Sequence, residues 1–171
     1  MKILLLMAMT VDGRIAKAVN HNADWTSAAD KKAFVAETKK HGVIIMGETT
    51  FRLIGRPLPK RLNYILSLEP EKYQDKVIPG TLEFAKGTPA EIVAQLSGRG
   101  FTSAVLGGGA RTNAAFLQAG MVDELMLTVE PKVFGVGLNF SEGTELDLNL
   151  ELLSAESIGD NAVQLHYRVI K

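Results

Sequence analysis

The chain has 171 residues, of which 46% are hydrophobic, so it is long enough to bury the core of one ordinary domain. Its 19 Lys and Arg residues balance 19 Asp and Glu residues, which argues against a basic surface for nucleic acid or an anionic membrane. Without cysteine, the chain has no disulfide, thiolate metal site or thiol nucleophile. The apolar opening segment Ile3–Met9 is too short to span a bilayer and lacks signal-peptide features, so we expect a cytoplasmic protein.

Short apolar runs alternate with longer amphipathic segments along the first 130 residues. Nearly continuous apolar runs are typical of strands covered on both faces in a parallel sheet. They predict strands at Ile3–Met9, Val43–Met46, Tyr64–Leu66, Ala104–Leu106 and Leu125–Val129. Helices are predicted at Ser27–Lys40, Thr88–Gly98 and Asn113–Gly120. The pairs Ser27 with Asp30 and Thr88 with Glu91 have the spacing of capping boxes.

The last forty residues change character. After a glycine-rich stretch, two β-like runs at Leu148–Ile158 and Val163–Ile170 flank a predicted turn at Gly159-Asp160-Asn161. The predicted fold class is therefore α/β, a mostly parallel central sheet flanked by helices with a C-terminal antiparallel hairpin at one edge. No repeat or linker divides the sequence, so residues 1–171 are predicted to form a single domain.

Two predicted strand-to-helix turns contain glycine. Gly47 ends one strand before a helix that opens at Glu48, and Gly107, Gly108 and Gly109 lie between another strand and helix. Helix N-termini attract phosphates, and glycine lets a phosphate approach the backbone. The two turns could hold a dinucleotide, but glycine after a strand is equally an ordinary turn residue. Neither a P-loop lysine pattern nor a G-x-G-x-x-G motif is present.

The first helix carries a candidate acid. Asp30 and Phe34 are four residues apart and share a helix face, with Trp25 just upstream. A carboxylate beside these rings could accept hydrogen bonds from an amino-heterocycle. The alternative is that Asp30 only completes the capping box. His21, His41 and His166 have no acidic or His partner at ligand spacing, so no metal site is predicted.

Four segments resemble dihydrofolate reductases, in the family's order. MGETTFRLIGRPLPKRLNYILS at 46–67 resembles the cofactor-helix signature, and WTSAADKKAF at 25–34 the substrate helix. VLGGGARTNAAFL is similar to the triple-glycine turn, and LTV at 127–129 to the strand behind the catalytic acid. DGRIA at 12–16 and AGMVDELMLTVEPKVFGVGLNF are more similar to the reductase domain of riboflavin-pathway deaminase-reductases, which shares the fold. The chain is thus identified as a member of the dihydrofolate reductase superfamily.

The resemblance implies a role for each matching residue. Asp30 would be the catalytic acid with Thr128 behind it, and the first two glycines of the triple would be joined by a cis peptide bond. The implied substrate-binding residues are Trp25, Phe34, Arg56 and Arg61, with an arginine holding a carboxylate or sugar phosphate. The implied cofactor-binding residues are Ala8, Ile15, Gly47, Thr49, Thr50, Leu66, Ser67, Lys86, Gly107, Gly108, Gly109, Ala110, Arg111 and Thr112.

The resemblance also implies the reaction. We expect an NAD(P)H-dependent reductase that transfers a hydride to a pterin or a ribosylaminopyrimidine, as in riboflavin biosynthesis. The alternatives are a dihydrofolate reductase and a non-catalytic nucleotide-binding module. NADPH is the expected cofactor, with NADH as the alternative because Glu48 stands where many dihydrofolate reductases have an arginine near the 2′-phosphate. Thr112 replaces a common tyrosine. The riboflavin branch suggests a homodimer; no nucleic-acid or membrane partner is expected.

Overall fold

A computed structural model describes residues 1–143 and 145–171. Its strands are β1 (Lys2–Thr10), β2 (Arg14–Ala16), β3 (Val43–Gly47), β4 (Leu62–Leu66), β5 (Leu82–Ala85), β6 (Ser103–Leu106), β7 (Glu124–Glu130), β8 (Leu138–Asn139), β9 (Leu150–Gly159) and β10 (Ala162–Val169). Its helices are α1 (Ala28–His41), α2 (Glu48–Ile54), α3 (Pro89–Gly98) and α4 (Ala110–Gln118), with a 3₁₀ helix at Pro70–Lys76.

Eight strands form one sheet in the order β5-β4-β3-β6-β1-β7-β10-β9. The first six strands in this order, β5 to β7, pair in parallel with one another. β10 runs antiparallel to both β7 and β9. The apolar runs of β1, β3 and β6 are buried because helices and loops cover both faces of the central strands. The predicted α/β class, its parallel sheet and the antiparallel hairpin at one edge are confirmed.

The helix boundaries follow from local capping. Thr88 and Glu91 form the complete capping box predicted for α3, and Gly42 ends α1 with a positive φ of 73°. The fourth helix begins three residues earlier than predicted, at Ala110. The prediction started it at Asn113, but that side chain lies inside the helix, is fully buried and donates to the Phe140 carbonyl at 2.8 Å.

The predicted turn of the C-terminal hairpin is also confirmed. Asp160 and Asn161 are its two central residues and both have positive φ, 53° and 60°, the conformation of a type I′ turn, which suits the strand twist. The carboxylate of Asp160 accepts a hydrogen bond from the Ala29 amide at 3.1 Å. The hairpin is thereby joined to the first turn of α1.

Three strands were not predicted. β5 is a four-residue edge strand with only Leu82 buried, so it lacks the continuous apolar run that marks the inner strands. β2 and β8 are shorter and form a separate two-stranded sheet. Within the described ranges, no helix has the length and apolar character that would let it cross a membrane.

Candidate active site

Most of the predicted site residues gather at one edge of the sheet. They lie at or just beyond the carboxyl ends of β1, β3, β4, β6 and β7, or on helices that begin there. Ligands of open α/β sheets bind at this edge because loops and helix N-termini meet there. The order of the strands divides the edge into three parts, with a buried acid near β1 and β7, glycine turns at β3 and β6, and a second carboxylate beyond β3 and β4.

The buried acid is Asp30. It lies in the first turn of α1 and is only 9% exposed. Thr128 of β7 is completely buried behind it and pairs with Ala8 of β1 in the parallel register. Gln164 of β10 reaches the Thr128 hydroxyl, with its Nε2 atom 3.4 Å from Oγ1. The structure thus brings Asp30, Thr128 and Ala8 together, as their predicted roles require.

A second buried acid, Glu130, changes the predicted cap of α1. The Asp30 amide donates to Ser27 Oγ at 3.1 Å, but the Ser27 amide donates to Glu130 Oε1 at 2.8 Å. The predicted capping box is therefore only half formed, because Glu130 supplies the carboxylate that Asp30 was expected to supply. The interpretation of Asp30 as only the capping acid is wrong, because its carboxyl bonds to the hydroxyls of Thr128 and Thr26 and not to the Ser27 amide.

The surroundings of Asp30 favour its protonated form. Burial raises the pKa of Asp30 above its ordinary value. Hydrogen bonds with the hydroxyls of Thr128 and Thr26 lower this pKa, and the nearby charge of Glu130 raises it. The net effect is upward, so the group holds a proton at higher pH than an exposed aspartate. Shifted carboxyls of this kind are enriched at catalytic sites.

Two aromatic side chains predicted to contact the substrate have different surroundings. Trp25 packs edge-to-face on Phe134 with ring centroids 5.0 Å apart. Its Nε1 atom is buried and has no hydrogen-bond partner in the described part of the chain. Because buried donors are nearly always paired, this N–H suits an acceptor on a ligand or a water. Phe34 is half-buried, on the same helix as Asp30, and packs against the cores around Ile44 and Leu4.

The two predicted anion-binding arginines also differ. Arg61 is 6% exposed, its Nε donates to the Pro59 carbonyl at 3.0 Å, and its Nη1 donates to the Thr38 hydroxyl. No carboxylate of residues 1–143 and 145–171 lies within ion-pair distance of it. Burial lowers the pKa of Arg61. A buried, unpaired guanidinium is costly unless an anion joins it, whereas Arg56 is exposed in a loop.

The two glycine turns lie against each other. The Gly47 amide donates to the Gly108 carbonyl and the Gly107 amide to the Ile45 carbonyl, both at 2.8 Å. A Cβ at Gly47 would lie 2.7 Å from Thr112 Oγ1, and one at Gly109 would lie 3.1 Å from Thr50 Oγ1. The two turns can pack this closely only because both positions lack a side chain.

Gly47 and Gly107–Gly109 together form what we call the glycine cradle, and its chemistry fits a pyrophosphate. Gly47 and Gly109 are the N-cap residues of α2 and α4, and neither helix has a side-chain cap. The amides of α4, with those of α2 beside them, therefore lack a local acceptor and suit an anion. One expectation is corrected. The cis peptide bond joins Gly108 to Gly109 rather than Gly107 to Gly108, and the Gly108 carbonyl of this peptide accepts from the Gly47 amide.

A carboxylate lies at the far side of the cradle. Glu48 accepts from Ser67 Oγ at 2.7 Å and from the Tyr73 hydroxyl at 2.6 Å. The hydrogen bond from Tyr73, then that from Ser67, hold the pKa of Glu48 below its ordinary value. Ser67 directly follows Leu66 at the end of β4, so both predicted adenosine-side residues adjoin this carboxylate.

The remaining predicted cofactor residues surround the same edge with differing exposure. Thr50, Ala110 and Thr112 are buried or half-buried, whereas Thr49, Lys86 and Arg111 are exposed. Ile15 is half-buried in β2. The loop before β2 is held by Asp12, whose carboxylate accepts from Thr10 Oγ1 at 2.6 Å and from the amide of Gly135 at 2.7 Å. These bonds, the one from Thr10 first, lower the pKa of Asp12 to about 2.

Sequence reasoning missed Glu130, Thr38, Gln164 and Tyr73. One signal was present for Glu130. It follows Thr128 by two residues on a strand, and residues two apart on a strand point to the same face. Tyr73 and Thr38 had no such signal, because their partners lie 25 and 23 residues away in the chain.

The histidines are engaged elsewhere in the described ranges. His166 Nε2 lies 2.8 Å from Glu124, His41 pairs with Glu37, and His21 packs edge-on against Phe134. Residues 1–143 and 145–171 contain no cluster of three His, Asp or Glu side chains that could hold a metal ion.

Comparison with known proteins finds a family model that matches most of the chain. The model of the RibD C-terminal domain matches residues 1–63 and 63–164. The uncharacterized protein YwjB of Bacillus subtilis is 25% identical over 174 residues, with 97% of each chain covered.

Two solved structures have the same fold. A diaminohydroxyphosphoribosylaminopyrimidine deaminase/5-amino-6-(5-phosphoribosylamino)uracil reductase of Thermotoga maritima superposes with a TM-score of 0.82 at 17% identity. That match covers 99% of this chain and 56% of that one. Dihydrofolate reductase of Enterococcus faecalis, complexed with NADP(H), superposes with a TM-score of 0.74 at 21% identity, covering 99% and 97%. The predicted dihydrofolate reductase-like fold is confirmed.

Proposed function

This chain belongs to the RibD C-terminal domain family, and we propose that it is a nicotinamide-dependent reductase that acts on a ribosylaminopyrimidine phosphate. The observation that carries the proposal is the buried Asp30 carboxyl with its raised pKa, at the same sheet edge as the glycine cradle. The Trp25 indole N–H, which has no partner in the described part of the chain, supports it. These groups suit a polar heterocycle bound next to a dinucleotide.

Different parts of the carboxyl edge of the sheet would bind different parts of the cofactor. The first amides of α4, beside those of α2, would bind the pyrophosphate, and Ala8 would border the nicotinamide, opposite Thr128. When bound, the nicotinamide supplies a hydride to a C=N unit of the substrate, which in a ribosylaminopyrimidine belongs to the opened ribose.

Asp30 would orient and protonate the substrate. Its oxygens would accept from a ring N–H and an exocyclic amino group, and Thr128 would hold the carboxyl in place. Through a water, Asp30 would favour protonation of the imine nitrogen as the hydride reaches the neighbouring carbon. Arg61 is buried and has no acidic partner in the described ranges, but it directly precedes β4 and contacts Thr38 late in α1. At the amino end of that strand, it would bind only an anion at the far end of the substrate, such as a sugar phosphate.

A dihydropterin is the second candidate substrate. The Asp30 carboxyl equally suits the amino-pyrimidine ring of a pterin, and Arg61 would then bind the carboxylate tail of dihydrofolate. The two substrates share the acid and differ in the anion that reaches Arg61.

The test is oxidation of NADPH and of NADH by the purified protein, with the ribosylaminopyrimidine phosphate and dihydrofolate assayed in parallel. Turnover of the pyrimidine supports the proposal, and turnover of dihydrofolate alone replaces it with the second candidate. Nucleotide binding without turnover of either would favour a non-catalytic nucleotide-binding module.

A further inference from the structure

The Glu48 carboxylate is held by three separate parts of the chain. It is the first residue of α2, and its partners are Ser67 after β4 and Tyr73 in the 3₁₀ helix. Ser67 is oriented in turn, because its Oγ accepts from the Glu69 amide at 3.1 Å. Long side chains at a surface normally keep their rotamer freedom. A partly exposed glutamate fixed by two hydroxyl donors is therefore preorganised for a ligand.

The hydrogen-bonding capacity of this carboxylate is only half used. Each oxygen accepts one hydroxyl, and an ionised carboxylate offers about four acceptor positions. Two acceptors, one on each oxygen, remain for donors from solvent. Two neighbouring hydroxyl groups on a ring, such as a ribose 2′,3′-diol, have the spacing to satisfy both.

The position of Glu48 assigns it to one half of a dinucleotide. The glycine cradle lies at β3 and β6, the Asp30 site lies at β1 and β7, and Glu48 and Ser67 lie beyond β3 and β4 on the opposite side. With strands about 4.8 Å apart, the path from β7 to β4 covers about 19 Å of sheet edge. A dinucleotide with its pyrophosphate in the cradle and its reactive ring near Asp30 would direct its adenosine ribose toward Glu48.

Three nearby cations each contact a carboxylate or an aromatic ring, and Arg52 and Lys72 are largely exposed. Arg52 Nε lies 3.9 Å from Glu48 Oε1, Lys72 pairs with Glu69 at 2.6 Å, and Lys76 lies over the Tyr73 ring at 5.4 Å. An arginine is the usual partner of a 2′-phosphate, whereas an acid accepts from the free 2′-hydroxyl of NAD. A 2′-phosphate at this place would meet the negative charge of Glu48 first.

We propose that Glu48, positioned by Ser67 and Tyr73, binds the diol of the adenosine ribose and makes the chain select NADH over NADPH. The inference rests on the proposed function, since it requires that a nicotinamide dinucleotide occupy the cradle. It departs from the cofactor expected by resemblance, which was NADPH.

The test is equilibrium binding, by calorimetry and nucleotide fluorescence, of NADH, NADPH, ADP-ribose and 2′-phospho-ADP-ribose to the intact protein. We expect NADH and ADP-ribose to bind at least about tenfold more tightly than their 2′-phosphorylated counterparts, or about 1.4 kcal/mol. Glu48→Gln should reduce that ratio to near unity, and Glu48→Arg should invert it. Tyr73→Phe should weaken NADH binding without improving NADPH binding.

The matched control is Glu71→Gln, which removes the same charge from the exposed 3₁₀ helix and should leave the ratio unchanged. Equal binding of the two cofactors by the unaltered protein, or tighter NADPH binding, overturns the inference but leaves the proposed function intact. If no nucleotide binds, both the inference and the proposed function are wrong.

Discussion

At the scale of single residues, the site depends on one carboxyl whose burial changes its chemistry. Asp30 is enclosed by Thr26, Thr128 and Glu130 and is almost inaccessible. Transfer of a carboxylate from water to such surroundings is costly, so the group is biased toward its protonated form. This bias suits a residue that both grips an amino-heterocycle and supplies a proton.

We expect Asp30→Asn to lower turnover by about 10²-fold or more, within the range for loss of a general acid. Nucleotide affinity should change less than about threefold, because the proposed pyrophosphate contacts are backbone amides at the α4 N-terminus and do not involve the Asp30 carboxyl. Steady-state kinetics and nucleotide titration measure the two quantities. An equal loss of both would remove Asp30 from the catalytic role.

The same variant should be more stable at neutral pH. The native state raises the pKa of Asp30 above 3.8, so it holds this proton more tightly than the unfolded chain. The contribution of this proton to the stability of the fold is therefore complete below pH 3.8, and it is lost as the pH rises through the native pKa. Asparagine does not ionise. The urea unfolding midpoint of the Asp30→Asn protein should therefore exceed that of the unaltered protein at pH 7 and approach it near pH 4. A lower midpoint at pH 7 would contradict this account.

Glu130→Gln should shift the pH dependence of turnover. The negative charge of Glu130 raises the pKa of Asp30, and glutamine keeps an oxygen to accept from the Ser27 amide. If turnover needs the protonated acid, its alkaline limb should shift to lower pH in this variant. Glu124→Gln is the control, since it removes a charge from the same strand about 20 Å away. An unmoved limb in Glu130→Gln would show that Glu130 only caps α1.

At the scale of elements, the loops and helix N-termini are held by contacts between distant segments. The first amides of α1 are satisfied by Ser27 and by Asp160 of the hairpin, while Glu130 of β7 accepts from Ser27. The acid-bearing helix is thus joined to the sheet at two points, Asp160 and Glu130. Its orientation is a property of the sheet and not of the helix alone.

The glycine cradle gives a prediction at this scale. Gly47→Ala should weaken nucleotide binding about tenfold or more, because the new methyl group would crowd Thr112 Oγ1 and cover the backbone between the turns. Calorimetry measures the affinity, and urea unfolding checks the fold. Gly98→Ala is the control. This exposed helix residue has no neighbour within 4 Å of an added Cβ, so the change should leave binding unaltered and stabilise by roughly 0.5–1 kcal/mol.

At the scale of the whole molecule, the outer hairpin strand leaves an apolar edge. β9 is ten residues long, lies at the end of the sheet, and exposes Leu150, Leu152 and Leu153 by 39%, 54% and 37%. Long apolar edges normally pair with another strand or are covered. We propose that a second copy covers it by antiparallel pairing of the two β9 strands, an arrangement that two-fold symmetry permits.

Light scattering after size exclusion tests the homodimer. We expect twice the mass of one chain for the unaltered protein, and one chain mass for Leu152→Lys, since a charge in a paired apolar edge is costly. Val19→Lys, at a residue that is 64% exposed and outside the hairpin, should stay dimeric. A monomer at all concentrations for the unaltered protein would contradict the proposal.

The sequence by itself determined those features that depend on neighbouring residues. The apolar runs of β1, β3, β6 and β7, the cap at Thr88 and the turn at Asp160 each carry a local signal, because strand period, helix capping and turn conformation are set within a few residues. The four-residue spacing of Asp30 and Phe34 likewise placed them on one helix face.

Only the tertiary structure decided which groups meet at the site. Ser27 and Glu130 are separated by 103 residues, Arg61 and Thr38 by 23, and Glu48 and Tyr73 by 25. No periodicity links such positions, because the order of the strands in the sheet sets their distance in space. The protonation of Asp30 and the fixed charge of Glu48 follow from those encounters, since burial and charged neighbours shift a pKa only once the chain has folded.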